Sequence, residues 1–154
     1  MQGHINSIRV DAVLHALGQH FGLAGLSLDA NGCCQLAFSG QWVVTLVLHP
    51  HKDCLVLHCP ISTAGHIDSS ILLAMLQGNF MGCATGGGYL AVSPDQRACV
   101  QQELPLSDLE VHTVRIAIDH VLAAARLWSS RLQSLLPPVR LHPALAMDSL
   151  QGRI

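Results

Sequence analysis

His49, His51, Cys54, His58 and Cys59 fall within one short stretch, HPHKDCLVLHC. Imidazole and thiolate are the ligands zinc takes in tetrahedral sites. The spacing works against such a site. His58 and Cys59 are neighbours on what reads as a strand, so their side chains leave opposite faces. Cys33 and Cys34 share that problem, and the chain has no CxxC pair. Turn histidines, and thiols that pack as small hydrophobes, account for these residues. The chain is therefore expected to hold no metal and to need no cofactor. A zinc-binding regulatory protein centred on residues 49–59 is the alternative. A cysteine nucleophile is the next chemistry to weigh. It needs a thiolate beside a base and an orienting group. Cys59 or Cys83 could be paired with any of ten histidines, and nothing around either one singles out a pair. Gly86-Gly87-Gly88 could suggest phosphate binding. A phosphate loop runs from a strand into a helix N-terminus and carries Lys and Ser/Thr. Here a strand follows the glycines and no lysine does, so a turn is the better reading. No enzymatic activity is expected.

The chain has 154 residues, which suits one domain with a real core. Half are hydrophobic and 12% are charged, against roughly 25% charged in average proteins. The surface is then unusually apolar, or part of it is covered by a partner. A formal charge of -2 gives no basic stripe for nucleic acid. No apolar run approaches the roughly 18–20 residues of a membrane span. MQGHINSIRV lacks the basic start and apolar run of a signal peptide. A cytoplasmic setting is expected, with six reduced cysteines.

The elements follow from spacing. Asn6 or Ser7 can cap a first helix whose face is Val10, Leu14, Leu17 and Phe21, with Val13 beside it. Gly18 weakens its middle and Gly22 stops it. Leu26 to Asp29 reads as the start of a strand, which continues as Cys33 to Phe38 after the Asn31-Gly32 turn. Trp42 to His49 is a strand with two apolar faces. Trp42, Val44, Leu46 and Leu48 form the larger set and are assigned to the core; Val43, Thr45 and Val47 form the other. Cys54 to Cys59 returns as a third strand. Asp68 caps a short helix, with Ile67 able to staple to Leu72. That helix is apolar all round, which requires cover on two sides. Tyr89 to Val92 and Ala98 to Leu104 form a hairpin around Ser93-Pro94-Asp95-Gln96. Ser107 opens the last helix as a capping box with Glu110. Its core stripe is Val114, Ile118, Val121, Ala125, Trp128 and Leu132. Pro137-Pro138 ends it. The fold class is α+β: helix, three strands, helix, two strands, long helix, with a twisted antiparallel sheet. Residues 1–136 form one domain, and 137–154 an extended or loosely held tail.

Residues 67–106 give a specific order: Leu72-Leu73, Asn79, Gly87-Gly88-Tyr89-Leu90, then Leu104-Pro105-Leu106 before a long helix. This order and spacing resemble the Tir chaperone (CesT) family, the class I chaperones of bacterial type III secretion. The run from Leu28 to Leu36 resembles the first hairpin of the same family, and the likeness covers about residues 7 to 134. Such chaperones are usually more acidic, and ten histidines and six cysteines are not part of their pattern.

The resemblance implies a homodimer in the bacterial cytoplasm, built around the second helix; Ile71, Leu72, Met75 and Leu76 are its expected contacts. It implies binding of the N-terminal chaperone-binding segment of one or more secreted effectors in extended form, so that they stay soluble and secretion-competent. It also implies delivery to an export apparatus whose ATPase belongs to that machine. The first helix and first three strands are the expected client surface: Val13, Leu14, Leu17, Leu36, Phe38, Val43, Thr45 and Val47.

Overall fold

The computed structural model describes residues 2–49, 51–61, 67–82 and 85–135. The expected tail from residue 137 and the Pro137-Pro138 stop lie outside the described residues, as does Cys83. The order is α1 (Gln2–Phe21), β1 (Cys33–Phe38), β2 (Trp42–His49), β3 (Cys54–Pro60), α2 (Ser69–Asn79), β4 (Tyr89–Val92), β5 (Ala98–Pro105) and α3 (Val111–Leu135). The five strands form one sheet in the order β1-β2-β3-β5-β4, with every neighbouring pair antiparallel. This is the α+β architecture expected from the sequence.

The helices pack on one face of the sheet. Leu36, Val44, Leu46, Leu55, Leu57, Cys59, Val100 and Leu90 meet Val10, Leu14 and Leu17 of α1 and the stripe of α3 in one core. All six residues expected on the α3 stripe are buried, and Ala117, Leu122, Ala124 and Ser129 widen it. Arg115, Asp119, Arg126 and Arg131 lie off it. The Arg131 guanidinium sits 5.3 Å from the Trp128 ring centroid, so its charge covers the indole face.

Several boundaries differ from expectation, each for a local reason. The first helix starts before Asn6, whose amide instead donates to Asp53 at 3.0 Å. Leu26–Asp29 makes no strand; the Leu28 N–H goes to the Asp11 carboxylate at 2.8 Å, which ties this connection to α1. Gly18 is required by packing. A Cβ there would lie 2.8 Å from the Leu23 carbonyl oxygen, where the chain turns back on the helix. The last helix begins at Val111, after a 3-10 turn at Leu106–Asp108. Thr113, rather than Ser107, does the capping: its hydroxyl accepts from the Glu110 N–H at 3.0 Å. Asp68 caps α2 as expected, accepting from the Ile71 N–H at 3.0 Å. Ile67 packs on the core while Leu72 stays exposed.

Gly78 is buried inside α2, and its role is close approach. A Cβ there would lie 2.2 Å from Trp128 Cζ2 and 2.9 Å from Leu90 Cδ1. Gly78→Ala must push α2 off the indole or force it from its rotamer. Such overpacking costs about 1–3 kcal/mol. The thermal midpoint should fall by several degrees, with a changed Trp fluorescence spectrum. An unchanged midpoint would show that α2 is not seated on Trp128.

Candidate functional site

The His/Cys hairpin is dispersed by the strand geometry. Cys59 faces the helices and is fully buried, while His58 lies on the opposite face beside Gln101, 3.2 Å from Nδ1 to the amide nitrogen. His49 and His51 sit together at the turn, with ring centroids 6.4 Å apart. Among the described residues, no three His, Cys, Asp or Glu gather as metal ligands. Burial raises the Cys59 and Cys99 thiols to about 11. A nucleophilic cysteine needs the opposite shift. Burial, then the nearby Arg97 charge, holds His58 below its ordinary value, so its ring is neutral near pH 7. The triple glycine turns the chain between α2 and β4, with the Thr85 hydroxyl donating to the Gly88 carbonyl. None of these features assembles a catalytic group.

What the structure does build is surface for other chains. The first surface is α2. Ile71 and Met75 face inward and are buried, so neither is available as a dimer contact. Leu72, Leu73 and Leu76 face out at 42%, 57% and 68% exposure, and Phe80 and Met81 just beyond are more exposed still. Five large apolar side chains in one short stretch form the kind of patch that marks an interaction site.

The second surface is the sheet. Among the described residues, its far face carries no helix. Ala37, Val43, Thr45, Val47, Val56 and Pro60 lie on it, all at least partly exposed. The expected client set is split by this geometry. Leu14, Leu17 and Leu36 are buried in the chain's own core. Phe38 pairs with Trp42 and so shares the helix-covered face, where Phe21 meets it edge-on at 6.3 Å. Val13 also packs at the border of the core. Val43, Thr45 and Val47 are the three that lie together on the open face.

The two sheet edges differ. At β4 the Asn79 side chain accepts from the Leu90 N–H at 2.7 Å and donates to the Leu90 carbonyl at 2.9 Å. One amide thereby occupies the outward backbone groups of that residue, as a neighbouring strand would. At β1, Asp29 does the same only for Cys33: its N–H donates to the Cys33 carbonyl and its carboxylate accepts from the Cys33 N–H. Gly32 bonds inward to Leu48. Antiparallel alternation then points the main-chain groups of Gln35 and Ala37 outward. They have no partner among the described residues. Edges of this kind accept an added strand.

The sequence profile of the Tir chaperone protein (CesT) family matches residues 12–129, most of the chain. The chain belongs to this family. CesT proteins are chaperones, and the fold is shared by solved structures despite low identity. One is in the HopA1–SchA chaperone–effector complex, at 18% identity and TM-score 0.71, covering 82% of this chain and 97% of that one. Another is in the ExsC–ExsE complex, at 21% identity and TM-score 0.73, covering 86% and 97%. A third is the Yersinia pestis type III secretion chaperone SycH with a fragment of YscM2, at 20% identity and TM-score 0.61, covering 77% and 98%. No curated protein sequence matches the chain closely enough to count as a relative. No helix among the described residues is long and apolar enough to cross a membrane.

Sequence reasoning missed Asn79 as the group that closes the β4 edge, though it stood among the residues carrying the family likeness. A lone Asn at the end of a helix reads as a stop signal. Its pairing with Leu90 depends on where the next hairpin lies. Phe80 and Met81 were also missed, because they follow the helix and break its period.

Proposed function

We propose that this chain is a type III secretion chaperone that works as a homodimer in the bacterial cytoplasm. It binds the N-terminal chaperone-binding segment of one or more effectors in extended form and performs no chemistry of its own. The observation that carries this reading is the difference between the sheet edges: in the short strand β4, Asn79 occupies the outward groups of Leu90 and alternation leaves only Val92, whereas β1 is open at both Gln35 and Ala37. An extended client adds a strand at β1 and continues across the open face over Val43, Thr45 and Val47. Main-chain bonding gives affinity that depends little on sequence, and apolar contacts add to it. The ordering cost of a disordered client is offset by the large area it wraps. The exposed patch of α2 is the dimer contact, made by Leu72, Leu73, Leu76 and Phe80. Release occurs at the export apparatus and its ATPase.

Family membership and the presence of chaperone–effector complexes among the similar structures support this reading. The test is purification from the native bacterium with identification of what remains bound. The expected partner is a secreted protein whose N-terminal segment becomes resistant to protease while bound. A chain that purifies alone, from cells expressing a secretion system and its effectors, would sink the proposal.

A further inference from the structure

The open face carries an ordered pattern that neither its apolar character nor its edge explains. Reading across the sheet in register, Gln35 stands opposite Thr45, Thr45 opposite His58, His58 opposite Gln101, and Gln101 opposite Tyr89. This is one polar row spanning all five strands. The rows beside it are largely apolar. Ala37 and Val43 lie on one side, with Pro60, Cys99 and Ala91 further along; Cys33, Val47 and Val56 lie on the other, which continues to Glu103 on β5. Near the β1 edge none of the three rows holds a charged residue. The polar row is internally bonded at its centre. The Gln101 side-chain amide meets His58 Nδ1 at 3.2 Å. At the far end, the Tyr89 hydroxyl donates to Glu103, which also pairs with Lys52, both at 3.2 Å. At the β1 end, Gln35 is exposed, and its amide bonds to no side chain among the described residues.

A strand added at an edge has a register problem. A slip of one residue turns its side chains to the wrong face. A slip of two residues keeps every face and every type of main-chain bond. What changes is only which side chain stands opposite Gln35, so the row is the element that can tell those registers apart. We propose that Gln35 sets the client register: the added segment places an uncharged hydrogen-bonding side chain opposite Gln35 and an apolar side chain two residues away, opposite Ala37, while Asp29 already occupies the edge at Cys33. The pattern is a polar residue, Asn, Gln, Ser or Thr, with an apolar residue two positions away. An apolar residue at the polar position would strip water from the Gln35 amide and return no bond. A carboxylate there would lie beside Cys33, Thr45, Val43, Val47 and Ala37, which offer no cation near the β1 edge. This inference rests on the reading of β1 as the client edge.

The test uses the full chain and acetylated, amidated peptides Lys-Thr-Val-Ser-Xaa-Ser-Val-Thr-Lys, with Asn, Gln, Val or Asp at Xaa. Cross-strand pair strengths set the expected scale, so Asn and Gln peptides should bind about two- to fivefold more tightly than Val. Asp should bind most weakly. Gln35→Val, at an exposed position, should fold normally and reverse the order, favouring the Val peptide. A second peptide set, N-methylated at the residues whose N–H faces β1, should lose binding altogether. Peptides that tolerate every Xaa equally, yet lose binding on N-methylation, overturn the register rule and leave β1 as the edge. Binding indifferent to N-methylation, or no binding by any peptide, removes the edge reading and the rule with it.

Discussion

Leu76→Asp, alone or with Leu72→Asp, should convert the proposed dimer of 16.5 kDa chains into a folded monomer. Leu76 is 68% exposed and Leu72 42% exposed in the single chain. A carboxylate at either position therefore stays solvated in the monomer and leaves its core intact. In a dimer closed through α2, the same carboxylate is buried without a cation, since the exposed stretch around it is apolar. An uncompensated buried charge costs about 3–5 kcal/mol. Every 1.4 kcal/mol is about a tenfold change in affinity, so dimer affinity should fall at least about a hundredfold. Light scattering reads the mass, and circular dichroism reads the fold. Met75→Asp is the contrasting change. Met75 is buried against the chain's own core, so this variant should unfold rather than dissociate. A soluble Leu72→Asp/Leu76→Asp protein that keeps the dimer mass would move the interface away from α2.

The contrast between Leu76 and Met75 shows how far the sequence reaches. An all-round apolar helix announces that two sides are covered, and Asp68 fixes where it starts. Which side meets the chain's own sheet depends on where Trp128 and Leu90 arrive, and those contacts are long-range. Gly78 carried the signal. A glycine inside an apolar helix is costly unless something approaches closely, and Trp128 does. The long helix was legible because its stripe repeats over many turns. Its start was not, because Ser107-Asp108-Leu109-Glu110 looks like a capping box while Thr113 supplies the bond.

The client surface was read less well than the strands beneath it. Leu14 and Leu17 share one helical stripe with Val10, and periodicity cannot say whether such a stripe serves the chain itself or a visitor. For Leu36 and Phe38 the signal was present. The short Ser39-Gly40-Gln41 turn pairs Phe38 with Trp42, and Trp42 was already assigned to the core. Strand pairing then places Leu36 with Val44 on the covered face. The two ends of the sheet could not be told apart from composition at all. Asn79 closes one through two bonds to a residue eleven positions later.

The remaining large effect separates folding from binding on a single strand. Val44 and Leu46 are fully buried under α3, whereas Val43 is 37% exposed and Val47 half-buried on the open face. Val44→Ser/Leu46→Ser removes apolar contacts and places two hydroxyls in the core. Large-to-small changes at such sites cost about 2–5 kcal/mol each for residues of Leu size and less for Val. Their sum is comparable with the roughly 5–15 kcal/mol that holds a domain together, so this variant should unfold or fail to accumulate. Val43→Ser/Val47→Ser alters side chains that retain contact with water. Its thermal midpoint should stay within a few degrees of the parent, while retention of an effector's N-terminal segment in a pull-down should fall. Thr45 lies between them and keeps the polar row unchanged, so the loss would come from the apolar rows and not from the register. If the Val43/Val47 pair unfolds the protein while the Val44/Leu46 pair is tolerated, the two faces are inverted. If the Val43/Val47 protein folds and holds its client as tightly as the parent, the client does not cross the open face, and strand addition at β1 must carry the binding alone.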